Sequence, residues 1–549
     1  MANEFIRENI FGAGANGVRT ENGAVSYATA GKAIIDQFSK AGTAMGRDIS
    51  VVWDEQNKVW AEDSVSALRF PFYLRMITRQ TTMFNGDKTS KVMRGMGLRD
   101  EAFKRLLWIA KYHPEEFYRN LWLVPIVGSW KDLWVIMTYD GAEKYLDYNK
   151  FFAVIAEGIN DDNCRDLVKK FMPRIRSEKA CNTDWAKRSN ALAKQFAKTV
   201  GWTYKEYREF KATGVAHEFQ KFICAGLYKN IKWNQIPGKA LLNLVSGKFL
   251  GNHGLEDSYM KWLETQPVVK FNGYAYELGM KLGRNQNSNT IGRINRMTID
   301  KQFENLIKTA KSDEGALKGN VLCALDTSGS MTAQIYGGPA GLSSYDVCVS
   351  LGIYFSELNE GAFHNVVAMF DNTSRLKTLH GSFSDKWFDI QGSTTAWGST
   401  NFQSLIDLIC DTRRKRPEIP LEDFPTTLLV VSDMQFNPTG SYFGRGSVAE
   451  EASNYERMMQ KLRTCFPAEW VDNFKCVWWY CAARDGSSHD VPANMEHGGQ
   501  YLVSGFDGSI VSLIINGETV DEKTGEKRAM TMEESVTAAL SQEILTMVQ

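Results

Sequence analysis

Val321-Leu-Cys-Ala-Leu-Asp-Thr-Ser-Gly-Ser-Met331 joins an apolar run directly to a loop of oxygen-bearing side chains. Val321 to Leu325 has the continuous apolar character of a strand buried on both faces of a parallel sheet. Ligands of open α/β sheets bind outside the carboxyl ends of such strands. Asp326, Ser328 and Ser330 therefore stand where a ligand would be met. Carboxylate and hydroxyl oxygens suit Mg2+ or Mn2+, and Mg2+ in particular keeps waters and accepts part of its octahedral shell from outside. An open coordination position would recruit a carboxylate or phosphate of a partner. The competing reading is a Ser- and Asp-rich turn that only caps a helix.

Outward from this stretch the chain alternates between strand and helix. Val366 to Phe370, Thr427 to Val431, Cys476 to Tyr480 and Tyr501 to Val503 read as strands. Tyr345 to Glu357, Phe402 to Arg413 and Val448 to Leu462 read as intervening helices. The pattern predicts a doubly wound α/β domain over residues 320–515. After it, Gly517 to Arg528 is polar and turn-like, and Thr531 to Met547 reads as one amphipathic helix with Val536, Leu540 and Ile544 on a face.

Upstream, residues 51–310 read as helical. Phe103, Leu106, Leu107 and Ala110 make one buried stripe, His113-Pro114 ends that helix, and Pro125 and Gly128 punctuate the next. Successive amphipathic helices with short breaks predict stacked helical pairs, without a clean repeat period. Asn285-Gln-Asn-Ser-Asn-Thr290 is expected to be a loop, and residues 1–50 an irregular arm with one helix near Ala30 to Ala41.

A length of 549 residues suggests two to four domains. No apolar run reaches the length of a membrane span and the first fifty residues lack a signal-peptide core, so a soluble, cytoplasmic protein is expected. Nine dispersed cysteines without a Cys-x-x-Cys pair, and seven dispersed histidines, predict a reducing compartment with neither zinc site nor disulfide framework. Net neutrality conceals a division. Residues 1–320 hold 48 Lys+Arg against 35 Asp+Glu, and the remainder 16 against 29.

The basic excess peaks between Arg165 and Lys248, with 18 Lys+Arg against six Asp+Glu. Lys169, Lys170, Arg174, Arg176, Lys187, Arg188, Lys194, Lys198, Lys205 and Arg208 are the candidate RNA-binding residues. Such potential attracts phosphates, and the interleaved Trp185, Trp202, Tyr204, Tyr207, Phe210, Phe219, Tyr228 and Trp233 would stack on bases where exposed. Two bland readings compete: aromatics packing a helical core beneath a solvated basic face, and a basic front docking on the acidic back.

Trp397-Gly-Ser-Thr-Asn401 and Thr426-Thr-Leu-Leu-Val-Val-Ser-Asp433, taken with the Asp326 loop, resemble the three segments of the metal ion-dependent adhesion site of a von Willebrand factor A domain. That resemblance nominates Thr400 and Asp433 beside Asp326, Ser328 and Ser330. It implies that the serines touch the metal directly, the threonine directly or through water, and the aspartates often through waters. Thr20-Glu-Asn-Gly-Ala24, His113-Pro-Glu-Glu-Phe-Tyr-Arg119, Val127-Gly-Ser-Trp-Lys-Asp-Leu133, Gly201-Trp-Thr-Tyr-Lys-Glu-Tyr-Arg208 and Val503-Ser-Gly-Phe506 resemble a family related to the Ro autoantigen. It implies a ring or crescent of HEAT-like helical repeats (a TROVE-like module) joined to an A domain, with RNA on the basic helical surface.

Three functional classes follow. The leading one is a Ro-like scaffold that takes small structured or single-stranded RNA on its helices and a second ligand at its metal site. The second is an assembly module without RNA, gripping an acidic protein side chain through the metal or self-associating through its opposite charges. The third, a metal-dependent hydrolase, lacks a nucleophile and general-base pairing and a second metal cluster in the sequence. Gly337-Gly338-Pro339 lacks the context of a phosphate loop and reads as a rim of the metal site.

Overall fold

The computed structural model describes residues 17–20, 22–42, 46–77, 79–82, 90–213, 218–284, 290–313, 317, 319–394, 398–439, 452–481, 491–493, 499–505, 511, 514–515, 517–520 and 527–549. The expected Asn285–Thr290 loop falls, apart from Thr290, outside the described residues, as do residues 1–16 of the expected arm. The chain forms two compact units: residues 1–47 with 236–537, and residues 48–235 with 538–549. It is an α-helical module together with an α/β domain. The 51–310 helical block is thus divided, and its helices from Gly238 onward cluster with the sheet.

In the α/β unit, β1 (Gly17–Arg19) and β2 (Val25–Tyr27) form an antiparallel ribbon, followed by a helix over Ala33–Lys40. The helical unit runs from a helix over Ile49–Glu62 to a short turn at Trp233–Gln235, interrupted by an antiparallel hairpin of β3 (Arg79–Thr82) and β4 (Ser90–Met93). Several of its helices start on readable side-chain caps. Asp48 and Asp63 accept N-terminal amides, and Ser129 with Asp132 and Thr203 with Glu206 close capping boxes. Trp134, Phe152 and Phe196 pack edge-on and tilted in the core, with Tyr207 against Phe196. Fully buried Arg105 is held by Glu55 at 3.1 Å, Glu101 at 3.6 Å and the amide oxygen of Gln56 at 3.1 Å, so its charge is paired rather than orphaned.

The α/β unit is built on a six-stranded sheet of β5 (Val321–Asp326), β6 (Val366–Phe370), β7 (Ser374–Thr378), β8 (Thr427–Ser432), β9 (Lys475–Tyr480) and β10 (Gln500–Ser504). Spatial order is β10-β9-β8-β5-β6-β7, parallel throughout except for edge strand β7. Numbered within the sheet this is 3-2-1-4-5-6, a doubly wound order whose reversal lies between β5 and β8. Every residue of those two strands is buried, as their unbroken apolar runs require.

Helices cover both faces. Trp478 and Trp479 are adjacent on β9 and so point to opposite sides. Phe355 of helix Ser344–Leu358 lies 5.6 Å from the Trp479 ring, and Phe402 of helix Phe402–Lys415 lies 5.0 Å from the Trp478 ring. Helix Ser344–Leu358 is buried on almost all sides because helices Ala275–Arg284 and Thr290–Asp313 pack over it.

Two expectations near the C-terminus are corrected. Glu518–Val520 (β11) and Lys527–Ala529 (β12) pair as an antiparallel ribbon rather than a plain turn. The helix expected over Thr531 to Met547 is two helices, Met532–Leu540 and Glu543–Thr546. The side chain of Gln542 lies between them and is bonded to the backbone of Arg94 through both its oxygen and its nitrogen, each at 2.9 Å. No helix among the described residues is long and apolar enough to cross a membrane.

Candidate metal centre

Asp326 is the last residue of β5 and Asp433 follows β8, so the two carboxylates leave adjacent parallel strands at the point where the strand order reverses. Asp326 is fully buried and fixed from two sides. One carboxylate oxygen accepts the amide of Ser328 at 2.9 Å and the other accepts the hydroxyl of Ser432 at 2.6 Å. Ser432 Oγ in turn accepts the amide of Met434 at 2.9 Å. Burial raises the Asp326 carboxyl above its usual range, and the negative charge of Asp433 adds to that, against the bonds from Ser328 and Ser432.

The loop after β5 holds Ser328 and Ser330 with their hydroxyls 3.0 Å apart. Thr327, between Asp326 and Ser328, points the other way, its hydroxyl donating to Phe370 O at 3.2 Å. Cys348 lies beneath, its thiol donating to the carbonyls of Val431 at 3.3 Å and Asp326 at 3.6 Å. Burial keeps that thiol protonated.

Thr400 lies on the third segment, whose Trp397 is outside the described residues. Gly398 O accepts the amide of Gly329 at 3.1 Å, and Thr400 O accepts the amide of Asn437 at 2.9 Å. Those bonds tie the middle loop to both of the others, and Thr400 is buried. Asn401 caps helix Phe402–Lys415 by accepting the amide of Ser404. The five residues singled out in the sequence thus come from three loops joined to one another by hydrogen bonds at one end of the sheet.

Sequence reading missed the supports of this arrangement. Asp371 and Asn372 follow β6. Asn372 Oδ1 accepts both the amide and the hydroxyl of Ser399, at 2.9 and 2.8 Å, and Asp371 O accepts the amide of Asn401 at 2.9 Å. The signal was available, since Val366 to Phe370 is a third apolar strand that ends in a carboxylate. A second support is the turn Thr20–Ala24. Thr20 Oγ1 donates to Phe436 O at 2.8 Å and Asn22 Nδ2 to Gln435 O at 2.5 Å, bracing the segment after Asp433. Met434 there takes a left-handed φ of 61°, a conformation that costs a non-glycine residue about 1–2 kcal/mol. Gly337 also has positive φ, but Gly337–Pro339 makes no bond to the five residues.

The donor set is two carboxylates and three hydroxyls, hard oxygen chemistry suited to Mg2+ or Mn2+. Among the described residues no group of three or more His, Cys, Asp or Glu side chains is placed to hold a metal ion, so a cation here would depend on the hydroxyls as much as on the two carboxylates.

The basic candidates all lie in the helical unit. Local acids engage five of them: Lys169 with Asp166, Lys187 with Asp184, Arg188 with Asp140, Lys194 with Glu178 and Lys205 with Glu209. Arg208 bonds Tyr204 O and Lys170 sits over Phe171. Exposed Arg174, Arg176 and Lys198 make no ion pair among the described residues. Of the interleaved aromatics, Tyr207, Phe219 and Trp233 are core, Trp202 and Phe210 pack on each other, and Trp185 and Tyr204 are exposed.

Residues 320–547 match a family described as "Domain of unknown function (DUF7788)", a span that starts one residue before β5 and takes in the whole sheet. The chain is also similar to "Uncharacterized protein L728" of Acanthamoeba polyphaga mimivirus, 23% identical over 542 residues, which cover 91% of this chain and 84% of that protein.

Proposed function

We propose that this protein is a two-part binding scaffold: a von Willebrand A-like domain that holds Mg2+ or Mn2+ through Asp326, Ser328, Ser330, Thr400 and Asp433 and uses it to grip an acidic ligand, and a Ro-like helical module that binds RNA. One observation carries the metal reading. Two buried carboxylates stand at the reversal point of the sheet, and the loops that carry Ser328, Ser330 and Thr400 are tied to theirs by hydrogen bonds, where a capping turn would need only one loop. A divalent cation supplies charge to offset the crowded carboxylates and an open position for an outside oxygen. The RNA reading rests on the exposed, unpaired Arg174, Arg176 and Lys198, with Trp185 exposed on the same unit.

Titration of the metal-stripped protein with Mn2+ tests the first part. Wild type is expected to bind one ion. Ser330→Ala, which removes a partly exposed hydroxyl bonded to that of Ser328, is expected to weaken binding at least tenfold with its melting temperature unchanged. Mn2+ affinity unchanged from wild type in both Ser330→Ala and Asp433→Asn would refute the site.

A further inference from the structure

Helix Phe402–Lys415 lies against helix Asn454–Arg463, and the pair is fastened at three levels. Near the metal centre, Gln403 Nε2 donates to the carbonyl and side-chain oxygens of Asn454 at 3.0 and 2.9 Å. Midway, Lys461 reaches Asp407 at 2.6 Å. At the far end stand two cysteines, Cys410 on the first helix and Cys465 just past the second.

Their environments differ. Cys410 is 1% exposed, and its thiol donates to Lys461 O at 3.6 Å. Cys465 is half-buried, with the Thr464 hydroxyl 3.2 Å from its sulfur, and that hydroxyl donates at 2.7 Å to the same Lys461 carbonyl that accepts the Cys410 thiol, so the two sulfurs stand around one backbone carbonyl. Arg414 bonds the same Thr464 hydroxyl at 3.2 Å, which brings a guanidinium beside the pair. Burial and the neighbouring sulfur push the Cys410 thiol up, while Arg414 works against them. All nine cysteines are free thiols in the structure. Cys323, Cys348, Cys476 and Cys481 are sealed in the core, so a solvent oxidant reaches Cys465 before any of these four.

We propose that Cys465 and Cys410 form a reversible disulfide, with Cys465 as the thiol that meets a hydroperoxide and Cys410 as the thiol that resolves it. The Cys465 thiol gives up its proton and its sulfur attacks one peroxide oxygen, the O–O bond breaks, and the leaving oxygen takes up that proton to depart as water or an alcohol, giving a sulfenic acid. The Cys410 sulfur then attacks the sulfenic sulfur, a second water leaves with the Cys410 proton, and an S–S bond remains. Two thiols are oxidised by two electrons and the peroxide is reduced by two. A small-molecule dithiol reverses the step through a mixed disulfide. The bond closes a loop running from residue 410 to 465 that contains all of β8 and Asp433, so it restrains the unfolded chain. Cys410 stands eight residues, roughly 12 Å at helical rise, from the first residue of its helix, so oxidation staples the helix pair away from the metal centre.

Peptide mapping of the full chain after brief hydrogen peroxide treatment and alkylation tests this. The expected result is a Cys410–Cys465 cross-linked peptide, a mass about 2 Da below that of the reduced protein before alkylation, full reversal by dithiothreitol, and a melting temperature raised by several degrees. Cys410→Ser is expected instead to accumulate a dimedone-trapped sulfenic acid at Cys465. A folded wild-type protein that oxidises at other cysteines with no such cross-link overturns the proposal, as does undiminished cross-linking of Cys410 in Cys465→Ser. The wild-type map decides alone if either variant fails to fold.

Discussion

Ser432 shows how one side chain joins fold to site. Its hydroxyl donates to buried Asp326 and accepts from the amide of Met434, so it fixes the first carboxylate and the turn that aims the second. Ser432→Ala leaves a buried carboxylate oxygen and a buried amide without these partners, each costing about 1–3 kcal/mol when unsatisfied. We expect destabilisation of about 2 kcal/mol by chemical denaturation and Mn2+ affinity reduced with it. A neutral outcome in both would show that the Asp326 carboxylate is positioned by Ser328 alone. In the sequence Ser432 reads only as the last polar residue before Asp433, and nothing in its neighbourhood says that it reaches 106 residues back along the chain. Asp326 and Asp433 were legible because they end apolar runs, and Thr400 only through its resemblance to a family segment, whereas Ser432 and Asn372 were not, because the groups they bond lie in other segments of the chain.

At the scale of elements, legibility followed local chemistry. Strands β5, β6, β8 and β9 stand where unbroken apolar runs put them, and several helices begin at Ser/Thr-x-x-Asp/Glu patterns. Edge strand β7, with its mixed Ser374–Thr378 sequence, escaped because an antiparallel edge half-exposed to solvent need not be apolar. The break at Ser541–Gln542 escaped because Gln542 bonds Arg94, a partner far away in sequence. One local device near the C-terminus is testable by pH. Glu534 takes the Thr531 amide in a capping box and pairs with Arg528 at 2.7 and 2.8 Å. Arg528 first, and the Thr531 amide second, lower its carboxyl from 4.5 to about 2. A depressed folded value stabilises the protein above pH 4.5, and that contribution is lost as pH falls from there toward 2. The pair is more than a third exposed, so solvent screening limits it to about 0.5–1 kcal/mol. Glu534→Gln keeps the cap and removes the charge. Its melting temperature should lie below wild type at pH 7 and converge with it at the acid end. A constant offset across that range would mean that the ion pair contributes nothing.

For the whole molecule, the two compact units share the chain in an order that periodicity alone does not reveal. Helix Ala275–Arg284 reads like the helices before it, yet Gly279 and Gly283 bring it against Ser350, Trp387 and Asp346 of the α/β unit. An amphipathic stripe tells that a helix buries a face, not which neighbour covers it. The charge division survives this partition in weaker form. The helical unit, residues 48–235 with 538–549, carries 31 Lys+Arg against 24 Asp+Glu, leaving the α/β unit with a net deficit of seven. Local ion pairs absorb much of the basic segment, so the candidates with charge to spare for phosphate are Arg174, Arg176 and Lys198. Replacing all three with Gln should lower affinity for a single-stranded RNA uniformly across sequences. It should also flatten the plot of log affinity against log salt by about 2, because each phosphate contact to a single strand contributes roughly 0.7 to that slope. Ser330→Ala, which acts at the proposed metal centre of the other unit, should leave both affinity and slope as in wild type. An unchanged slope in the triple variant would move the RNA surface elsewhere on the protein. A wild type without RNA affinity at low salt would leave metal-mediated gripping of an acidic protein ligand as the function.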